Sequence, residues 1–275
     1  MEELVWSKSR VRRFKRCRRE YFLHFYASAG GFAPDADTET RELWFYKNLQ
    51  SADYYLYRLM RRILYKAFCL QWSAMECQDE LLKRWSLDMA EERITFYEQV
   101  YHGMTFNQIR DAAAESVINA GKILIHSELA PFMRHHKFRT VFIDQPLEFM
   151  LGDIIIYTAP FAMLCSGQEY IFLELTGDRM LDSAAMHRYY ACRIRRIPAM
   201  AVKSSFYNIT TGELWSPEFE AVNFSATAAT IGEEVETIAM AIPEEIIARK
   251  AYFAISGAPR DICSKCNFAR VCRQS

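Results

Sequence analysis

The sequence predicts an α/β protein with a mixed central sheet flanked by helices, a large helical insertion, and ends joined by a metal site. The segments 138–144, 147–157 and 169–176 are short and rich in β-branched and aromatic residues, which is typical of strands. From about 40 to 130, apolar residues recur at helical spacing with few breakers. A helix and a further strand follow the predicted strands, and this order indicates a mixed sheet with helices on its faces.

Composition limits the possible classes of protein. The 275 residues are 51% apolar with a formal net charge of +0, so the chain can bury a core, and attraction to a polyanion or membrane must be local. The longest apolar run, around Ile154 to Ile156, is too short to span a bilayer. The start turns basic without an apolar stretch, which is not typical of a signal peptide. We therefore expect a cytoplasmic protein with no membrane partner.

Cysteines near both ends form the strongest chemical pattern. Cys263, Cys266 and Cys272 stand as C-x2-C-x5-C, and Cys17 lies near the other end. Four thiolates suit either a tetrahedral zinc site or a cubane iron–sulfur cluster. A disulfide scaffold is a poorer explanation because the chain is long and rich in core residues. The remaining cysteines have apolar neighbours and are predicted to be core thiols: Cys69, Cys77, Cys165 and Cys192.

Residues 7–27 are predicted to form one basic helix, capped by Ser7 or Ser9. Eight Lys or Arg residues occur between Lys8 and Arg19 with no acid among them. A solvated helical face is one explanation. The density of like charge favours a polyanion, and DNA is the candidate partner. The candidate DNA-binding residues are Lys8, Arg10, Arg12, Arg13, Lys15, Arg16 and Arg19.

Four segments organise the predicted chain. They are an N-terminal basic helix with the first cluster cysteine (1–38), a helical insertion (39–134), an α/β core (135–258) and a C-terminal cysteine segment (259–275). Within the insertion, helices are predicted over 54–70, 80–100 and 106–129. Within the core, we expect a helix over 182–196, a strand over 200–207, the return strand of a hairpin over 212–215, and a helix over 226–241.

Ser7 to Tyr26 resembles the opening motif of the iron–sulfur branch of the PD-(D/E)XK nucleases. That branch includes AddB-type helicase–nuclease subunits, CRISPR-adaptation exonucleases and exonuclease V-like enzymes. Arg18 replaces the proline that follows the first cysteine in the family. The C-terminal cysteine spacing matches the same branch, and roughly residues 138–215 resemble its core. The resemblance implies a restriction-endonuclease-like fold and a structural 4Fe-4S cluster held by Cys17, Cys263, Cys266 and Cys272.

The resemblance also implies a nuclease centre. In such enzymes carboxylates hold magnesium or manganese and a lysine orients the attacking water. Asp153, within 147–157, and Glu174, within 171–177, match best. Each is a single acid in an apolar stretch, where an unpaired carboxylate is costly. On adjacent strands of one sheet they would reach the same ion.

Three departures weaken the predicted centre. Thr176 stands where the family has lysine, or one residue is missing there. Met186 stands where the family has glutamine, and residues 64–68 lack the expected Gly-x-x-x-His. The candidate substitutes are His126, His187 and Lys203. Because the cysteine frame and basic helix are retained, we favour a DNA-binding 4Fe-4S protein with a degenerate nuclease centre.

Two alternatives to this interpretation remain open. One is an active magnesium- or manganese-dependent DNA exonuclease that uses Asp153 and Glu174. The other is a zinc-stapled protein-interaction module with no nucleic-acid role. Under the favoured interpretation, the partners are DNA, single-stranded or with free ends, and a larger DNA-processing complex. The process would be repair, recombination, CRISPR adaptation or phage-related processing.

Overall fold

The computed structural model describes residues 4–70, 72–92, 94–126, 128–129, 132, 138–176, 180–218, 222–242, 247, 255, 257 and 259–273. The chain divides into two compact units. Unit 1 comprises Met1–Leu49, Glu148–Tyr157 and Ser225–Ser275, and unit 2 comprises Gln50–Leu147 and Thr158–Phe224. Both ends of the chain therefore belong to unit 1. Helices combined with mixed sheets confirm the predicted α/β class.

The elements follow in chain order. The first are β1 (Leu4–Trp6), α1 (Lys8–Arg16), α2 (Arg18–Phe22), α3 (Thr38–Asn48), α4 (Ala52–Leu70), α5 (Ala74–Ala90), α6 (Tyr97–His102) and α7 (Phe106–His126). Next come β2 (Arg139–Ile143), β3 (Leu147–Leu151), β4 (Ile154–Thr158), β5 (Ala162–Ser166), β6 (Glu169–Leu175) and α8 (Leu181–Tyr189). The last are β7 (Val202–Tyr207), β8 (Leu214–Trp215), α9 (Phe224–Ala241), α10 (Arg260–Cys263) and α11 (Ala269–Arg273).

The basic segment 7–27 is not one helix, because the chain breaks at Cys17. Ser7 caps α1, where its Oγ accepts the N–H of Arg10 at 3.3 Å. Cys17 has extended dihedrals, φ −160° and ψ 114°, and its Sγ accepts the N–H of Glu20 at 3.4 Å. The thiol thus caps α2, and a π-helical turn (Leu23–Ala27) follows. Apolar periodicity runs through the break and does not reveal it.

Unit 1 combines the first strand with later parts of the chain. Its sheet has the order β1-β4-β3, and β1 runs parallel to β4, with Trp6 opposite Ile156. The Trp6 indole is buried, and its Nε1 donates to Glu234 of α9 at 2.9 Å. Phe268, between the tail cysteines, is completely buried. Residues from both ends of the chain therefore build the same unit.

The stretch 147–157 is a hairpin, not the single strand predicted. Strands β3 and β4 are joined by Gly152 and Asp153. Gly152 has φ +60°, a conformation that glycine adopts without a Cβ clash and that suits a tight hairpin turn. Asp153 is exposed in this turn. The carboxylate that we assigned to a strand therefore lies outside it.

Unit 2 packs a helical lobe and a sheet into one core. The sheet has the order β2-β5-β6-β7-β8, in which β6 and β7 are parallel and the other pairs are antiparallel. Helix α8 connects the parallel pair. Members of the shared core include Ile63, Leu81 and Ile109 from the helices, and Leu173, Leu175 and Tyr207 from the sheet. Because side chains alternate along β6, Phe172 and Glu174 lie on the opposite face from Leu173 and Leu175.

Most predicted elements of unit 2 are confirmed with shifted ends. The helical pattern over 80–100 is wrong as one helix, because α5 ends at Ala90 and α6 begins at Tyr97. The helix predicted over 182–196 becomes α8 followed by a π-helical turn (Tyr190–Ile194). Strand β5 was not predicted, since its four buried residues in succession lack the alternation of a half-buried strand.

Two further expectations concern thiols and membranes. Cys77 and Cys165 are buried as predicted, whereas Cys69 is exposed and Cys192 is half-buried. In the ranges that the structure describes, no helix has both the length and the apolarity needed to cross a bilayer.

Candidate cysteine cluster and acidic site

The four predicted cluster cysteines occur together in unit 1. The pKa of the Cys266 thiol is raised to about 12, chiefly by burial and also by the nearby Glu20, Cys272 and Cys17. Burial also raises the pKa of Cys272, and Cys17 and Cys263 add to that rise. Charges shift a pKa in this way only at short range. The structure therefore brings Cys17 into the neighbourhood of the three tail cysteines.

The thiols fit a metal in chemistry, but the structure does not arrange them as a formed site. With its raised pKa, Cys266 is a thiol at neutral pH, and a buried thiolate requires a compensating cation such as a metal. The Cys266 Sγ also accepts the N–H of Phe268 at 3.4 Å. Among the described residues, no group of three or more His, Cys, Asp or Glu is positioned to hold a metal ion. The cluster therefore remains a prediction.

Acids from elsewhere in the chain neutralise part of the basic segment. Lys15 forms an ion pair with Glu234 of α9 at 2.7 Å. Arg13 and Arg16 share the buried carboxylate of Glu20, and the Arg13 Nη1 lies 2.9 Å from its Oε1. The sequence argument that eight cations lack acidic partners is therefore only partly right. These pairs leave less uncompensated charge for a polyanion than the sequence indicates.

Arg10 and Arg19 are held in other ways. The Arg10 guanidinium lies over the Phe25 ring, 4.5 Å from its centroid, as in a cation–π contact. The Arg19 Nε donates to the carbonyl oxygen of Ile255 at 3.1 Å. Arg19 also opposes the burial-driven rise in the pKa of Cys272. Some cations of the basic segment therefore stabilise unit 1 through contacts within the chain, whereas others, such as Arg12 and Arg18, are exposed.

Glu174 is buried in unit 2 with a histidine against it. The His187 Nε2 lies 3.0 Å from the Glu174 Oε1, and the Thr158 Oγ1 lies 3.3 Å from the same nitrogen. The Nδ1 of His187 lies 3.3 Å from the Ser204 Oγ. The completely buried imidazole also stacks on Phe172, with ring centroids 4.8 Å apart and planes 10° apart.

This geometry gives the carboxylate a partner from within the chain. A carboxylate only accepts hydrogen bonds, so the Nε2 of His187 donates to Glu174. When the imidazole is neutral, its Nδ1 accepts from the Ser204 hydroxyl. Of the three substitutes considered from sequence, His187 is the one placed against Glu174. Lys203 is exposed and instead pairs with Glu169 at 2.7 Å.

The structure does not place Asp153 and Glu174 on adjacent strands. Asp153 lies in the turn of the β1-β4-β3 sheet, whereas the neighbours of β6 are β5 and β7. That part of the predicted nuclease centre is wrong. The argument from costly burial also fails for Asp153, because its exposed turn keeps the carboxylate in water.

The other positions of the predicted centre carry no cation. Thr176 follows β6, and its N–H donates to the carbonyl oxygen of Tyr207 at 2.9 Å. Met186 is completely buried. Gly177 lies outside the described residues. At Thr176 and Met186 the chain therefore supplies neither the lysine nor the glutamine that the resemblance implies.

Comparisons with known proteins add no relative. No protein-family model matches the chain, and no curated protein matches it. The resemblance to iron–sulfur nucleases therefore stays an expectation. A function has to be argued from the chemistry of the cysteine neighbourhood and of the Glu174 site.

Proposed function

We propose that this chain is a DNA-binding 4Fe-4S protein with a PD-(D/E)XK-like body and a degenerate nuclease centre, acting in DNA processing as a structural or recruiting subunit. One observation carries the proposal: Cys17, directly after the basic helix α1, shares a neighbourhood with Cys266 and Cys272 of the tail. Four thiols brought together from distant parts of a chain are the ligand set of a metal centre. A redox disulfide needs two of them.

The proposed cluster has a structural role. Cys17, Cys263, Cys266 and Cys272 would hold it, and the bound cluster would supply covalent links between the two ends of the chain. Joining distant positions removes loop entropy from the unfolded chain. The residues of α1 would then be fixed to the tail, which limits how the basic face can move. The cluster itself takes no part in a reaction under this proposal.

The proposed loss of nuclease activity rests on Glu174. Its Oε1 already accepts from His187, so a metal ligated by this oxygen would have to replace a short buried contact. Thr176 supplies no lysine nitrogen to orient a water. Asp153 is held in a hairpin turn of a different sheet. These features support a degenerate centre in which Glu174 has a packing role and no catalytic one.

Anaerobic purification followed by optical absorption and metal analysis tests the cluster. We expect broad visible absorption, with iron and sulfide both bound. DNA binding is then measured over a range of salt concentrations, and a steep loss of affinity with salt is expected from phosphate contacts. A colourless protein that holds zinc and does not bind DNA would support the zinc-stapled interaction module instead.

Cleavage assays test the degenerate centre in the same preparation. Single- and double-stranded DNA are incubated with magnesium or manganese, and we expect no cleavage. Asp153→Ala and Glu174→Gln serve as the decisive variants. Robust cleavage by the unaltered protein that both variants abolish would establish an active nuclease and refute the proposal.

A further inference from the structure

Cations from two helices of unit 1, α1 and α3, surround the imidazole of His24. Arg10 and Arg13 are three residues apart on α1, so they lie on the same side of that helix. Lys47 lies in the last turn of α3, and His24 lies in the π-helical turn after α2. We call these four residues the His24 group.

The charges of Arg10, Arg13 and Lys47 act on the pKa of His24, which indicates that the His24 group lies in one neighbourhood. The pKa of His24 is lowered to about 3, chiefly by burial and also by the positive charges of Arg13, Lys47 and Arg10. Burial also lowers the pKa of Lys47, and Arg13 and Arg10 contribute to that shift. Each positive charge disfavours protonation of its neighbours. The folded chain therefore holds like charges together in a partly desolvated place.

The described chain provides too little negative charge here. Glu20 is the acid that faces this region, and it is shared by Arg13 and Arg16. Neither Arg10 nor Lys47 forms an ion pair with a described residue. One carboxylate therefore faces four cations, namely Arg10, Arg13, Arg16 and Lys47. The carboxyl ends of α1 and α3 offset part of this charge through their helix dipoles.

Two nitrogen atoms of the group also lack hydrogen bonds. The Nδ1 of His24 and the Nε of Arg13 are buried and have no partner within the described chain. Buried polar atoms are nearly always hydrogen-bonded in folded proteins. A helix dipole offsets charge but leaves both nitrogens without an acceptor. The Arg13 Nε–H is a donor, and so is the His24 Nδ1 in the tautomer that carries its proton there, so an oxyanion meets both the excess of cations and the two unbonded nitrogens.

We propose that Arg10, Arg13, His24 and Lys47 form a binding site for a phosphate group. Arg10 and Lys47 supply charge, while the Arg13 Nε and the His24 imidazole supply hydrogen bonds. A phosphate group offers several acceptor oxygens and suits guanidinium donors. The group belongs either to a DNA backbone, in which case the site rests on the proposed function, or to a free phosphate. Sequence reasoning included Arg10 and Arg13 but not His24 or Lys47.

Titration with inorganic phosphate at constant ionic strength tests the site directly. Calorimetry reports affinity, and the imidazole proton resonances of His24 report the location of binding. We expect saturable binding that is weakened at least about tenfold in Lys47→Gln and in Arg10→Gln. Lys83→Gln is the matched control, because it removes one exposed cation from α5 and should leave affinity unchanged. Circular dichroism verifies that each variant is folded.

A second titration with a single-stranded oligonucleotide separates the two sources. If the phosphate comes from DNA, Lys47→Gln weakens binding equally for all sequences and lowers the salt slope by about one. If phosphate binds and DNA does not, the site stands as one for a free phosphate, and the proposed DNA function fails. If DNA binds equally well to Lys47→Gln and phosphate does not bind, the site is refuted while the DNA function survives. An equal loss of phosphate affinity in the control Lys83→Gln would also refute the proposed site.

Discussion

Replacing His187 with alanine tests whether the imidazole is the partner that keeps Glu174 stable in the sheet. The side chain of Glu174 is 9% exposed and that of His187 0%, so solvent hardly screens the pair. Removing the partner of a buried carboxylate costs about 3–5 kcal/mol, because the charge then stays buried without compensation. The lost stacking on Phe172 adds about 0.5–1.5 kcal/mol.

A double-mutant cycle isolates the charge from the packing. Glu174→Gln keeps the shape of the side chain and removes the charge, so His187→Ala in that background uncovers only a neutral amide. An unsatisfied neutral group costs about 1–3 kcal/mol. Stacking on Phe172 is lost equally in both backgrounds. We therefore expect a coupling free energy of about 2 kcal/mol between the two substitutions.

Urea unfolding of the four proteins, followed by the fluorescence of buried Trp85 and by circular dichroism, measures the cycle. Lys203→Ala is the control, because its pair with Glu169 is exposed and should contribute less than about 1 kcal/mol. Effects that add within about 0.5 kcal/mol would show that Glu174 and His187 are not coupled. In that case the carboxylate would be available to another partner, such as a metal ion.

Three more outcomes follow from unit 1. Cys263→Ser should abolish visible absorption and lower stability by several kcal/mol, as in lost metal sites, whereas Cys69→Ser, at an exposed thiol, should change neither. The pKa of His24 is about 3 in the folded chain, against 6.5 as the ordinary value, so the unfolded chain binds more protons between these values, and stability falls as pH falls through this window. In phosphate-free buffer, His24→Gln should reduce that pH dependence by up to one proton in pH-resolved denaturation. The cations facing His24 are Arg10, Arg13, Arg16 and Lys47. A Cβ at Gly31 would overlap Trp44 and the Thr40 carbonyl, so Gly31→Ala should lower the free energy of unfolding by about 1–3 kcal/mol. The Cβ added by Gly232→Ala in α9 meets no atom within 4 Å, so this variant should be more stable by about 0.5–1 kcal/mol. Equal melting temperatures for these two variants would contradict both expectations.

Local pattern was enough to predict much of the fold. Helices α4, α7 and α9 carry apolar residues at helical spacing, and strands β2, β6 and β7 are β-branched and aromatic, so each lies close to its predicted range. The failures occur where one residue changes the local geometry. Cys17 ends α1 while the apolar spacing continues, and Gly152 turns an apparently continuous strand into a hairpin. Periodicity averages over several residues and does not resolve such points.

The candidate sites depend on contacts that no local pattern contains. Lys15 is balanced by Glu234, 219 positions later, so the charge of the basic segment could not be judged from the segment itself. His187 was one of three substitutes suggested by sequence, and only packing of α8 on β6 selects it. The cysteine pattern was easier to recognise, because three thiols at short spacing are a local signal. Lys47 gave no signal at all, since its importance arises from the cations around it.

A single acid in an apolar strand is a weak guide to catalysis, and Glu174 shows the reason. Burial obliges the carboxylate to have a partner, yet it does not specify which kind. A metal ion, a lysine or an imidazole each meets the same requirement, and here the imidazole is 3.0 Å away. Thr176 removes the lysine, and His187 supplies the contact from the following helix. The acid that suggested a nuclease is thus accounted for by its contact with His187, whereas the buried Nε of Arg13 and Nδ1 of His24, both in unit 1, have no hydrogen-bond partner among the described residues.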